Sequence, residues 1–413
     1  MRWSEIPAGA RRYILYHTII SPLLITWYML PLYMFMTGYD VLEVGAFFTV
    51  VNLVSIPATY LIGRVFKRIP VRHGLVLIDA LDGVSCAFYA LAYGALAPVM
   101  LFAGMLIEKL SGMFYSLYQA AERILYPKER LEEVFAWHMR LPEVAQLIGF
   151  LALGYLFGHV LTTPDWYRVG FAFFSASSLA TIAYLLKALP RMDVEERVEA
   201  GAPRFRVDAE FRTILLIEAL LTLAWGLAPD IVMLNYVVNV LGFTLFEAML
   251  VEASISLGAI TATYVSERIR KESAFKAMGV GYALVAAWAA IMLASPPLPI
   301  VIVAYFICRF GDTLAFPFYR AWIFRKVPKA KATEVFAALS SYRRVINVVT
   351  PVVAGALATV WATLPYLVSL ILFVTIGTIL LMLHWRSHLG KRYPAASSLR
   401  TSTTINQATG EVA

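Results

Sequence analysis

Twelve runs of mostly apolar residues, each long enough to cross a bilayer, leave this chain few folds to choose from. A hydrocarbon core about 30 Å thick needs roughly 18 or more apolar residues in helical form, because a helix pairs its own backbone groups where no water can. The runs lie at 13–36, 41–62, 74–94, 98–121, 134–160, 170–189, 211–241, 245–266, 275–295, 298–323, 333–362 and 364–383. Composition agrees: 60% of residues are hydrophobic, 15% are charged, and mean hydropathy is +0.71. A soluble chain carries about 25% charged residues. The expected fold is all-α and polytopic.

The runs divide six and six because the chain repeats itself. Tyr118-Gln-Ala, Pro127-Lys and Glu133-Val-Phe-Ala136 return as Tyr319-Arg-Ala, Pro328-Lys and Glu334-Val-Phe-Ala337, at a constant offset of 201. Ile56-Pro-Ala-Thr-Tyr60 with Arg64 and Lys67 returns as Ile260-Thr-Ala-Thr-Tyr264 with Arg268 and Lys271, at 204. Trp27 and Pro31 return as Trp225 and Pro229, at 198. Offsets that drift by so little mark one duplicated unit with small loop insertions. The expected organisation is an N-terminal six-helix bundle (1–189), a cytoplasmic connector (190–210), a C-terminal six-helix bundle (211–389) and a disordered cytoplasmic tail (390–413), the bundles related by a pseudo-two-fold axis.

Charge sets the orientation. Most of the 35 Lys and Arg lie near the N-terminus, in loops after even-numbered runs, or near the C-terminus; outside the runs only Arg168 falls on the opposite side. The excess of basic residues on one side predicts a multi-pass protein of the cytoplasmic membrane with both termini in the cytoplasm. Insertion and attraction to anionic lipid account for the net charge of +8, so no nucleic-acid partner is expected. The first run lacks a small-residue cleavage site and is expected to be retained. Loops on the outer side are short, leaving no domain there for a protein partner, and a monomer is expected.

Chemistry that needs a dedicated motif is excluded. Cys86 and Cys308 are single thiols in separate runs, expected to pack. His384 and His388 stand one helical turn apart without a third ligand, which argues for a solvated helix end rather than a metal site. There is no HExxH, GxSxG, cysteine pair or phosphate-cradling glycine loop. An integral membrane enzyme acting on lipid-linked substrates is therefore the weaker reading. No enzyme activity, metal or cofactor is expected, a proton gradient aside.

Ionisable residues inside the runs are the informative exceptions. Each costs about 2.5–3.5 kcal/mol at mid-bilayer on insertion scales and persists only with a partner or a purpose. Glu108, Ser111, Tyr115 and Tyr118 share one helical face of the fourth run, and the offset of 201 maps them onto Arg309, Asp312, Phe316 and Tyr319 of the tenth. Such stripes should line a water-filled cavity between the halves. Trp27 and Trp225 would add aromatic contact, and Asp230 a further acid. A second set comprises Asp79, Asp82, Lys109, Arg140, Glu143, Glu252, Arg343, Arg344 and Asn347. Pairs such as Asp82–Lys109, Arg140–Glu143 and Arg309–Asp312 could instead only neutralise each other and fix helix register. Loss of water favours the protonated form of a carboxyl, so one of these acids is expected to carry a proton, with Glu108 and Asp312 the first choices.

Twelve spans in a parallel six-plus-six repeat, with a central cytoplasmic loop, resemble the major facilitator superfamily from Tyr13 to about Leu389. The family's loop signature, Gly-x-x-x-Asp-Arg-x-Gly-Arg-Lys, is loosely met: Thr59-Tyr-Leu-Ile-Gly63-Arg64-Val-Phe-Lys67-Arg68 in the first half lacks the glycine and the acid, and Glu267-Arg268-Ile-Arg-Lys271 in the second keeps an acid–base pair. Arg64, Lys67, Arg68, Glu267, Arg268 and Lys271 thereby become candidate cytoplasmic gate residues. The stretch from Arg309-Phe-Gly-Asp312 to Pro351-Val-Val-Ala-Gly355 is similar to exporters of the superfamily. The resemblance implies a secondary transporter moving a small organic solute by alternating access, with proton-coupled efflux ahead of uptake of an organic anion or nutrient by proton symport. A non-transporting receptor on the same fold is a third reading.

Overall fold

The computed structural model describes residues 2–66, 69–127, 131–192, 209–266, 268–269, 273–326, 339 and 342–392. Of the candidate gate residues, Lys67, Arg68, Glu267 and Lys271 lie outside the described residues, and for Arg64 only the backbone is described. Among the described residues there is no strand, and the twelve expected runs are all helical. They form α1 (Ala8–Met36), α2 (Val41–Phe66), α3 (Val71–Ala90), α4 (97–125), α5 (131–160) and α6 (Pro164–Ala188). The second half gives α7 (209–240), α8 (Leu245–Ser266), α9 (Ala274–Leu293), α10 (Leu298–Lys326), α11 (Tyr342–Val360) and α12 (Leu364–Arg392). Among the described residues eleven are long and apolar enough to cross a bilayer, and the apolar part of α2 is shorter, Val41–Pro57.

The helices are interrupted where their residues demand it. Proline removes a backbone donor and crowds the preceding turn. Around Pro22, α1 tightens to a 3-10 turn over Ser21–Ile25, and α7 breaks at Pro229, whose ψ of 167° is extended. Pro31, the counterpart of Pro229, sits inside continuous helix, as do Pro57, Pro142 and Pro317. Both α5 and α7 end in π-helical turns, at Leu156–Val160 and Asn235–Val240.

The turns at the end remote from the connector preserve the duplication. Gly38 and Gly242 share a positive φ at an offset of 204, and Gly94 shares one with Ser295 at 201. Left-handed geometry is thus retained even where glycine has been replaced by a residue that pays for its Cβ there.

The halves meet closely at this same end. A Cβ on Gly45 of α2 would lie 2.4 Å from the carbonyl oxygen of Pro351, and one on Gly355 of α11 2.7 Å from that of Val41. Across the other seam, Gly154 and Gly158 of α5 press on Met249, Thr244 and Phe246 of α8. Small residues let helix backbones approach where lipid offers no hydrophobic drive for association. Nearer mid-helix, the Asn52 side chain donates to the Asn347 carbonyl oxygen at 3.2 Å, and Ser256 donates to Glu143 at 2.6 Å.

Candidate functional site

Three cavities meet around α4. One, of about 450 Å³, lies between the halves, walled by Trp27, Pro31, Asn52, Glu108, Lys109 and Tyr115 from the first and by Pro229, Asp230 and Pro351 from the second. It forms where α1 and α7 carry their prolines and α4 tightens to a 3-10 turn at Gly112–Phe114. Trp27 is 48% exposed and Tyr115 37%, which for aromatic residues inside a bundle means that they front open space.

The second cavity, about 240 Å³, lies within the first half and shares Trp27, Glu108 and Tyr115 with the central one. Its walls add Tyr118, Asp79, Asp82 and His17. Tyr89 donates to Glu108 at 2.6 Å, and Tyr16 donates to Asp79 at 2.5 Å. The remaining oxygens Asp79 Oδ2 and Asp82 Oδ1, and His17 Nε2, are buried without a hydrogen-bond partner among the described residues. Buried polar atoms left in that condition are costly, and here several converge on one chamber. The His17 ring also lies 4.7 Å from that of His138, tilted by 51°, and His138 reaches Glu122 at 3.4 Å.

The third cavity, also about 240 Å³, sits on the seam between α2, α4 and α11, with Lys109, Tyr115, Asn52, Arg344 and Asn347 in its walls.

The second-half stripe goes elsewhere. Arg309 donates to Asp312 at 3.3 Å, one turn along α10. Arg309 is within electrostatic reach of Glu252 on α8 and of Tyr28 on α1, and the Tyr28 hydroxyl lies against the Glu252 carboxyl. These residues form a second polar cluster on the seam, beside Asp230. Phe316 is half exposed under the guanidinium of Arg320, 5.1 Å from its ring, whereas Tyr319 is buried against Trp322. Trp225 is likewise not among the walls of the central cavity: it packs on Phe373 at 5.0 Å and Trp288 at 5.9 Å within the second half. Equivalent positions in the repeat therefore do opposite jobs. Arg309, Asp312, Phe316 and Tyr319 are not among the walls of these three cavities, whereas α2 and α11 contribute Asn52 and Pro351 to the central one.

The other charges fall into place individually. Arg343 makes a two-pronged ion pair with Glu218 of α7, at 2.5 and 2.7 Å. Arg140 lies over the Trp137 ring, and Glu143 accepts from Ser256 rather than from Arg140. Lys109 has no ion-pair partner among the described residues and faces the seam instead of Asp82. Residue-by-residue reading missed Tyr16, His17, Tyr28 and Tyr89; the one available signal was their place in the helices flanking the acids. Among the described residues no three His, Cys, Asp or Glu are grouped to hold a metal ion.

Two six-helix halves around a central cavity whose mostly apolar wall carries Glu108, Lys109 and Asp230 are the architecture of a membrane transporter. The family model of the Major Facilitator Superfamily matches residues 13–351, and the chain belongs to that family. No curated protein matches it in sequence. Among solved structures it is similar to a bacterial homologue of the iron transporter ferroportin in an inward-facing state: TM-score 0.69, 13% identity, 90% of this chain and 96% of that one covered. It is similar to the nucleoside transporter NupG with a TM-score of 0.62 and 12% identity, covering 93% of this chain and 99% of that one. The human organic anion transporter MFSD10 matches with a TM-score of 0.55 and 17% identity, over 90% and 97% of the respective chains. At these identities the likeness is one of fold.

Proposed function

We propose that this protein is a proton-coupled exporter, which carries a small organic solute across the cytoplasmic membrane as one half rocks against the other around the central cavity. The observation that carries the reading is the position of Glu108. Its side chain borders both the space between the halves and the chamber inside the first half, where Asp79, Asp82 and His17 stand. A proton gained or lost at Glu108 changes the charge seen by a solute in the central cavity, so the two binding events are linked. Asp312, paired with Arg309 near the seam, is the second candidate. The transmembrane potential supplies about 2.3 kcal/mol per charge per 100 mV, enough to drive uphill movement of a solute. Export rather than uptake is supported by the likeness of the 309–312 and 351–355 stretches to exporters, and the basic loops support cytoplasmic placement of the connector.

The test is flux in proteoliposomes of the purified protein under an imposed pH gradient, with Glu108→Gln and Asp312→Asn as variants. The expected outcome is that Glu108→Gln loses gradient-driven movement but keeps downhill exchange. Unchanged gradient-driven flux in both variants would rule out the coupling; solute entering against the export direction would reverse the assigned direction.

A further inference from the structure

The third cavity says something about the solute. Lys109 of α4 and Arg344 of α11 come from opposite halves and line the same space of about 240 Å³. Neither has an ion-pair partner among the described residues, and no carboxylate is among the residues that wall the cavity. Arg343 next door is fully engaged by Glu218, so Arg344 has no share in that acid. Asn52 and Asn347, which join the halves through their 3.2 Å contact, add polar groups to the same wall. Both side chains are exposed to this space and repel each other, and Glu108, an acid within electrostatic reach of Lys109, already accepts from Tyr89. A bound anion would remove that repulsion, and a guanidinium opposite an ammonium suits a carboxylate or phosphate group. Lys109 and Tyr115 also front the central cavity, so the anionic head can sit on the seam while an organic body extends towards Trp27.

The geometry points to Lys109 and Arg344 as a two-sided clamp for the anionic group of the transported solute, which makes the substrate class an organic anion. This rests on the transport reading above and deepens it. Because the clamp takes one residue from each half, an occupied site ties the halves together. Release requires them to separate, which gives the anion a direct hold on the conformational change.

The same chemistry could come from a lipid headgroup, so the test has two arms. In the first, the full-length protein in a zwitterionic detergent is titrated with benzoate, succinate and inorganic phosphate while its unfolding temperature is followed. At least one anion should stabilise the wild type. Lys109→Gln and Arg344→Gln should each weaken its apparent affinity by about tenfold or more, whereas Lys109→Arg and Arg343→Lys should keep it. In the second, the soluble anions are replaced by phosphatidylglycerol vesicles. Stabilisation by the lipid alone, lost in the same variants, would show a headgroup site and overturn the substrate assignment. So would a soluble anion that stabilises both Gln variants as well as the wild type, or no response to any of the three. Flux separates this from the broader reading: a neutral or cationic solute carried equally by wild type and both Gln variants sinks the clamp but leaves a transporter. No flux of any solute by the wild type sinks transport itself.

Discussion

Arg343 and Arg344 are neighbours in sequence with opposite fates. Arg343 turns into the second half and closes both hydrogen bonds on Glu218, which is only 2% exposed. Removing one partner of such a pair strands the other charge out of water, at a cost of about 3–5 kcal/mol. Arg343→Met should therefore lower the unfolding temperature sharply. Glu218→Gln combined with Arg343→Met should recover part of the loss, and failure to recover any would mean that the pair is not a closed unit. Arg344→Met should leave thermal stability in the absence of anion unchanged or slightly raised, because it removes the repulsion with Lys109. At Ser295 the backbone holds a φ of 52°, left-handed for a side-chain-bearing residue. Ser295→Gly should stabilise by up to about 1 kcal/mol, since relief of the Cβ contact outweighs the added freedom of the unfolded chain; a drop in unfolding temperature would contradict that.

At the scale of helices, the seal between halves is made by glycine rather than by interlocking side chains. Gly45 and Gly355 leave no room for even a methyl group against the backbone of the opposite half. Gly45→Val and Gly355→Val should push α2 and α11 apart. A cysteine introduced at Val352, which borders Gly45, should then react with an impermeant maleimide from the far side several-fold faster than in the otherwise unaltered protein. Equal rates would mean that these glycines do not hold the seal.

The helices themselves were legible in the sequence, because a bilayer leaves an apolar run no alternative to helix and the duplication supplied a second copy to check against. The cavity was legible only in part. Glu108, Tyr115 and Tyr118 could be read from one face of one helix, because periodicity and polarity coincide there. His17, Tyr16 and Tyr89 could not, since a single polar residue on an apolar helix looks the same whether it lines a chamber or fills a core. Trp225 misled for another reason: the repeat fixes its position on α7 but not its surroundings, and it packs on Phe373 and Trp288 where Trp27 fronts two cavities.

For the whole molecule, the basic loops and the turn geometry sort the helix ends into two opposed sets. Arg191 lies at the connector end and Leu96, which is 61% exposed, in the turn between α3 and α4 at the other. In right-side-out vesicles an impermeant thiol reagent should label Leu96→Cys at once and Arg191→Cys only after the membrane is breached. The reverse order would turn the protein over in the bilayer, and with it the direction assigned to transport.

The break at Pro229 has no counterpart at Pro31, although the two prolines hold equivalent places in the repeat, 198 residues apart. A hinged rod and a stiff one cannot share a load equally. Under the rocking motion proposed above, the segment of α7 beyond Pro229 would act as a short lever against the unbroken Pro31 segment of α1. Most of the work at the mouth of the passage would then fall to one copy of the repeated pair.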